Sequence, residues 1–171
     1  MLIKLLPLLV SVMVCLNMQA QSADGRYISR MTQDGTLYFI NPQKLSKTEG
    51  IKNFEYDMTL LSWTDSATVN FTFRSGLMAK PENLAIRSGN NVFRCDAFKP
   101  LFIDIKKNKY EIRITSRFPI SVLATILDNP DPPIFDFTQD GIHRHAAYSE
   151  GAWRKDRKKL NDIYRIYLYS K

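Results

Sequence analysis

The sequence predicts a mainly β domain: an antiparallel β-sandwich, with a barrel as the alternative, carrying an amphipathic helix at its C-terminal end. Three observations predict it. Apolar and polar residues alternate with a period of two in segment after segment, as strands with one buried face require. Turn residues punctuate those segments at short, regular intervals, the spacing of sandwiches and barrels rather than of βαβ units. Helical periodicity occurs only towards the C-terminus.

Residues 1–20 are set aside before any fold argument. Lys4 precedes an uncharged apolar run over residues 5–16, and Asn17, Met18, Gln19 and Ala20 follow it. That order predicts a secretory signal peptide cut after Ala20. The run is shorter than the ~20 apolar residues a spanning helix needs, so no transmembrane segment is expected once the signal is removed. Cys15 lies within it; Val12, Met13 and Val14 before it lack the small residue that lipoprotein processing favours. The expectation is export, to the periplasm, the cell surface or the medium. What remains is a single domain over residues 21–171 with Cys95 as its one thiol, so no internal disulfide is expected. Such a domain must rest on its hydrophobic core, which about 150 residues can supply.

In order, residues 27–32 and 36–40 alternate on either side of Thr32-Gln33-Asp34-Gly35 and read as a hairpin stopped by Asn41-Pro42. Residues 43–52 are polar and read as a loop. Phe54, Tyr56, Met58 and Leu60 share one face of the next strand, with Glu55 and Asp57 together on the other. Beyond Thr64-Asp65-Ser66, the strand with Ala67, Val69, Phe71 and Phe73 has the cleanest alternation in the chain. Residues 75–83 read as irregular. Residues 84–87 and 92–95 then form a hairpin around Ser88-Gly89-Asn90-Asn91, and Leu101, Ile103 and Ile105 pair with Tyr110, Ile112 and Ile114 across Lys106-Lys107-Asn108-Lys109. Residues 120–127 are nearly all apolar and read as a strand buried on both faces. The prolines at 130, 132 and 133 break structure, and residues 134–137 form one more short strand. Thr138-Gln139-Asp140-Gly141 repeats the earlier tetrapeptide and reads, like it, as a turn.

Ser149 is the expected N-cap of the helix, with Glu150 in its first turn and residues 155–159 near its C-terminal, dipole-negative end. Trp153, Leu160, Ile163, Tyr164 and Tyr167 share a helical face. Residues 163–169 are also aromatic and β-branched enough for a closing strand, which leaves the end of the helix open.

Composition excludes several classes. With 44% apolar and 24% charged residues, the chain is neither disordered nor of low complexity. A Gly-rich phosphate loop, a CxxC pair and a dinucleotide fingerprint are all missing, so no cofactor is expected. Ser149 in Ala147-Tyr148-Ser149-Glu150-Gly151 mimics a nucleophile elbow, but no histidine follows it in the chain. Cys95 reads as buried rather than as a nucleophile activated by Arg94, His143 or His145, because neighbouring strand residues point to opposite faces. The carboxylates Asp128, Asp131, Asp136 and Asp140 lack calcium-loop spacing and read as solvated loop residues. Glu55 and Asp57 read as a water-facing row. Asn70-Phe71-Thr72 is a glycosylation sequon on the polar side of its strand.

Two features carry a functional expectation. Arg154, Lys155, Arg157, Lys158 and Lys159 place five cations in six residues beside Trp153 on an amphipathic helix. A helix of that kind can lie on an anionic surface. The net charge of +7, or +6 without Lys4, agrees with an anionic partner: an envelope surface, a glycan or an acidic protein. Nucleic acid is not expected, since the chain is exported and no recognition motif is present. His143 and His145 would share a strand face and could hold a metal with Asp136 or Asp140 as a third ligand, which makes a metal-dependent hydrolase the alternative. The leading expectation is a non-enzymatic exported β domain serving as a binding or structural module of the envelope or extracellular space.

Overall fold

The fold is a computed structural model and is described for residues 25–95 and 98–171. The expected signal peptide, its cut after Ala20 and Cys15 lie outside the described residues. The chain runs β1 (Tyr27–Thr32), β2 (Gly35–Lys44), β3 (Lys47–Glu49), β4 (Lys52–Leu61), β5 (Ser66–Ser75), β6 (Glu82–Ser88) and β7 (Asn91–Arg94). It continues through β8 (Phe98–Lys106), β9 (Lys109–Pro119), α1 (Ile120–Asp128), β10 (Ile134–Gln139), β11 (Ile142–Ala147) and α2 (Glu150–Tyr169). Six strands form one antiparallel sheet in the order β1-β2-β4-β5-β9-β8, and five form a second in the order β3-β11-β10-β6-β7. The two sheets do not close into a barrel; the architecture is sandwich-like and mainly β, with the helix at the C-terminal end.

Alternation sends Phe54, Phe71 and Phe73 of the larger sheet inward against Phe135 and Phe137 of the smaller one, with Phe73 and Phe137 centred 4.9 Å apart. Tyr27 and Tyr38, on β1 and β2, are covered instead by α2, whose Tyr167 meets Tyr38 edge-on at 6.4 Å. One face of the larger sheet is thus shared between a second sheet and a helix, and a single apolar cluster runs beneath both. The three expected hairpins form. The β8–β9 turn places Lys107 and Asn108 at φ values of 53° and 59°, the left-handed pair that a two-residue turn of this hand requires. The repeated tetrapeptide turns the chain twice, one residue out of frame. In the first copy Thr32 pairs with Gly35, leaving Gln33-Asp34 as the turn. In the second, Gln139 pairs with Ile142, so Asp140 and Gly141 turn, at φ of 53° and 71°.

Three expectations are corrected, and the question left open at residues 163–169 is decided. Residues 120–127 form helix α1, not a strand buried on both faces. Leu123, Ile126 and Leu127 are its buried residues, a three-and-four spacing that puts one stripe against Met58, Val69, Ile86 and Phe135. Ile120 and Val122 remain only partly buried, as the outer flank of a helix should be. Residues 43–52 are not a loop. Strand β2 runs through Pro42, with its register shifting between Ile40 and Gln43, and β3 crosses to pair with β11 in the other sheet. The segment is polar because backbone pairing holds it, with only Leu45 and Ile51 anchored in the core. Residues 163–169 are helical to Tyr169, since Leu160, Ile163 and Tyr167 fall on one buried stripe and the Tyr167 hydroxyl donates to the Thr64 carbonyl at 2.6 Å. Residues 155–159 therefore sit in the middle of α2, and its last turn carries no basic residue.

Candidate binding surface

Helix α2 begins as its sequence requires. The Ser149 hydroxyl accepts from the Ala152 amide at 3.4 Å, and Glu150 sits in the first turn, where the dipole favours a negative charge. Ser149 is a cap and not a nucleophile. The buried stripe Trp153, Leu160, Ile163 and Tyr167 then dictates which basic residues face outward.

The structure divides the six expected contact residues. Trp153 is only 1% exposed, packed at a tilt against Tyr148 with ring centres 5.3 Å apart and its indole N–H directed to the Asn129 carbonyl, so it anchors the helix instead of touching a partner. The reason is its position: Trp153 lies seven residues before Leu160, on the same stripe. Arg157 reaches the Asp128 carbonyl at the C-terminal end of α1, a place where a cation is favoured. Arg154 is exposed. Lys155, Lys158 and Lys159 are brought together along a groove between α2 and the start of β1, about 460 Å³ in volume. Arg26, Tyr27, Asp162, Ile163 and Ile166 complete its lining.

The charges around that groove do not balance. Arg26 donates to Gln43 at 2.7 Å and approaches the Asp156 carboxylate at 3.4 Å. Asp156, which interrupts the basic run in the sequence, is thereby drawn inward to Arg26. Against Lys155, Lys158 and Lys159 the groove itself offers one carboxylate, Asp162. The alkyl stems of the lysines and the exposed Ile166 add apolar wall beside the cationic heads.

The other candidates are dispersed. His143 and His145 do share the outward face of β11, opposite Thr138 and Asp136. His145 faces Glu49 at 3.1 Å, however, and Asp136 is bonded to Arg87, so the carboxylates at hand are committed in different directions. Asp140 is an exposed turn residue. Among the described residues, no three His, Cys, Asp or Glu side chains gather closely enough to hold one metal ion. Arg144, between the histidines, turns inward across Gly50, where a β-carbon would overlap its guanidinium; its buried Nε has no hydrogen-bond partner. Cys95 is buried beyond β7, at the far edge of the same sheet from β11.

Asp57 needs the largest revision. It is not in a water-facing row but 1% exposed, accepting from Asn70 and from Arg113, each at 2.6 Å, while Arg113 also donates to Thr72. The strand pairing aligns Asp57 with Asn70 and Thr72 with Arg113, so four residues from three strands close over one another. The sequon asparagine is thus already engaged through its amide. A second polar contact invisible in the sequence joins the Tyr56 and Tyr148 hydroxyls at 2.7 Å in the core. Burial, and for Tyr148 also the neighbouring Tyr56 and Asp156, pushes both hydroxyls above the ordinary tyrosine value, which keeps them neutral.

No helix among the described residues is long and apolar enough to cross a membrane. No protein-family model, curated protein or solved structure matches the chain.

Proposed function

We propose that this protein is an exported, non-enzymatic β domain that works as a binding module at the cell envelope, holding an anionic surface through the outward face of α2. The observation that carries the reading is the cluster of Lys155, Lys158 and Lys159 around one carboxylate, on a helix whose opposite face is locked into the core. The carboxylate nearest in sequence, Asp156, turns to Arg26.

The test is co-sedimentation of the protein, purified without residues 1–20, with phosphatidylglycerol vesicles and with phosphatidylcholine vesicles. Binding to the anionic vesicles alone, falling about tenfold or more between low and physiological salt, is the expected result. Lys155→Glu, Lys158→Glu and Lys159→Glu together should abolish it without changing the circular dichroism spectrum. Binding that ignores salt, or survives the triple reversal, would overturn the proposal. Loss of vesicle binding alongside retained, salt-dependent binding to an acidic polysaccharide would overturn the envelope surface in favour of a glycan.

A further inference from the structure

We infer that the open edge of β1, beside the groove it forms with α2, takes up an extended segment of a partner polypeptide as an added strand of the larger sheet. The inference goes beyond the surface reading above and does not depend on it, because backbone groups of β1 carry it and not the charges of α2. The pairing with β2 fixes which way those groups point. The Arg26 carbonyl accepts from the Asn41 amide, and the register continues in phase to Thr32 opposite Gly35. Arg26, Ile28, Arg30 and Thr32 thus turn their backbone groups to β2. Tyr27, Ser29 and Met31 direct theirs to the other side, where no strand lies among the described residues. The other three sheet edges are short or blunted. β3 and β7 have only three and four residues. β8 contains Pro100, changes register between Pro100 and Phe102, and turns the Asp104 carboxylate back on the Ile105 amide at 2.8 Å. Each of these keeps a strand edge from pairing. β1 has neither a proline nor a shift of register.

The surroundings of β1 fit that occupant. Helix α2 runs alongside the edge: Asp156 meets Arg26 at 3.4 Å, and Tyr167 meets Tyr38, which lies opposite Ser29. The groove wall on α2, from Lys155 to Ile166, covers about three helical turns, or about 16 Å. About five residues of an extended chain cover the same length. An added antiparallel strand would place every second side chain over that wall, next to Tyr27, Ile163 and Ile166, which selects apolar residues there. The alternate side chains would fall on the outward face of the sheet, opposite Ile28 and Arg30. Arg30 has Leu37 opposite it on β2, so a carboxylate on the added strand would be its cross-strand counter-charge. Within the groove, Arg26 and Lys159 are already engaged and Asp162 offsets part of the rest, so the lysines favour acidic over basic segments without selecting the ligand. What selects a polypeptide is the row of N–H and C=O groups on β1, which an ion or an alkyl chain cannot pair.

The probe is the peptide acetyl-Val-Glu-Val-Thr-Val-Glu-amide, which sets its first valine opposite Met31 and its glutamates opposite Arg30 and Arg26. It is added to the protein purified without residues 1–20 and followed by isothermal titration and by amide exchange in NMR spectra. Binding one to one, with slowed exchange of the Ser29 and Met31 amides, is the expected result. Methylating the backbone nitrogens of the third and fifth peptide residues, which face β1, should weaken binding about tenfold or more; methylating the second and fourth, which face away, should weaken it much less. Ser29→Pro removes an edge donor while sparing the pairing with β2, and should weaken the peptide about fivefold and leave vesicle binding intact. No peptide binding at millimolar concentration, equal affinity for the two methylated peptides, or unchanged exchange at Ser29 and Met31 overturns the edge site while the surface reading stands. Peptide binding without any vesicle binding supports the edge site and overturns the surface reading instead. A dimer of the free protein that Ser29→Pro disperses would give the edge to a second copy and overturn the partner segment.

Discussion

The outward face of the larger sheet and the outward face of α2 are both polar, both basic in part, and organised in opposite ways. On the sheet, charges are answered across strands: Asp57 has Arg113 and Asn70, and Glu111 has Arg74 and Lys106. Antiparallel pairing puts those side chains opposite one another at fixed spacing, so the face closes on itself and Asp57 disappears from solvent. On α2, the three lysines lie along one side of a single helix, and the facing strand β1 supplies them no carboxylate. Surface charge therefore carries two different meanings in this molecule. Charges paired across strands tie the sheet face together, and charges gathered on one element form a patch of one predominant sign.

The comparison breaks first at Asp57. Asp57→Ala leaves Arg113 half-covered without its counter-charge and should cost about 2–3 kcal/mol, below the full range for buried pairs because Arg113 keeps some contact with water. Urea unfolding would measure it. By contrast, reversing Lys155, Lys158 and Lys159 should move stability by less than about 0.5 kcal/mol. An Asp57→Ala variant as stable as the parent would mean that the sheet face is solvated in the same sense as the helix face.

A smaller effect sharpens the role of α2 as a platform. Ser149→Ala removes the hydroxyl that caps the helix at the Ala152 amide and should lower stability by about 1 kcal/mol. Because the lysines sit beyond the first turn, binding by the folded protein should be unchanged. Loss of vesicle affinity on this substitution, at full occupancy of the folded state, would show that the helix start positions the groove more tightly than the packing of Trp153 and Leu160 does.

The smallest expected effect is a pH dependence on the sheet face. Burial works against the charged form of Glu111, but hydrogen bonds from Lys106 and Arg74 outweigh it and hold the carboxyl below the usual glutamate value. A carboxyl lowered on folding contributes stability that is complete above the unfolded value, about pH 4.3, and is lost as pH falls through the folded value. The parent should lose slightly more stability than Glu111→Gln between pH 5 and pH 3, in parallel urea titrations. Equal losses would remove Glu111 from the paired network.

Much of this fold can be read along the chain, and the residues that resist reading do so for identifiable reasons. The hairpins and the buried stripe of α2 follow from local chemistry: turn residues, alternation, and Leu160, Ile163 and Tyr167 at helical spacing. Residues 120–127 are apolar enough for either a buried strand or a helix; the choice fell to the surfaces around them, which offered an apolar corner lined from β4, β5, β6, β10 and α2. Trp153 next to five cations looks like a surface anchor until its place on the stripe is fixed by the packing of Tyr148.

By itself, the sequence determined the alternating strands, their turns, the cap at Ser149, the amphipathic helix and the excess of positive charge, because each depends on neighbours within a few residues. Only the tertiary structure decided that Asp57 is buried, that β3 crosses to the second sheet, and that Lys155, Lys158 and Lys159 meet β1 across a groove. Those outcomes depend on strands and helices far apart in the chain, joined by a register that local patterning does not encode.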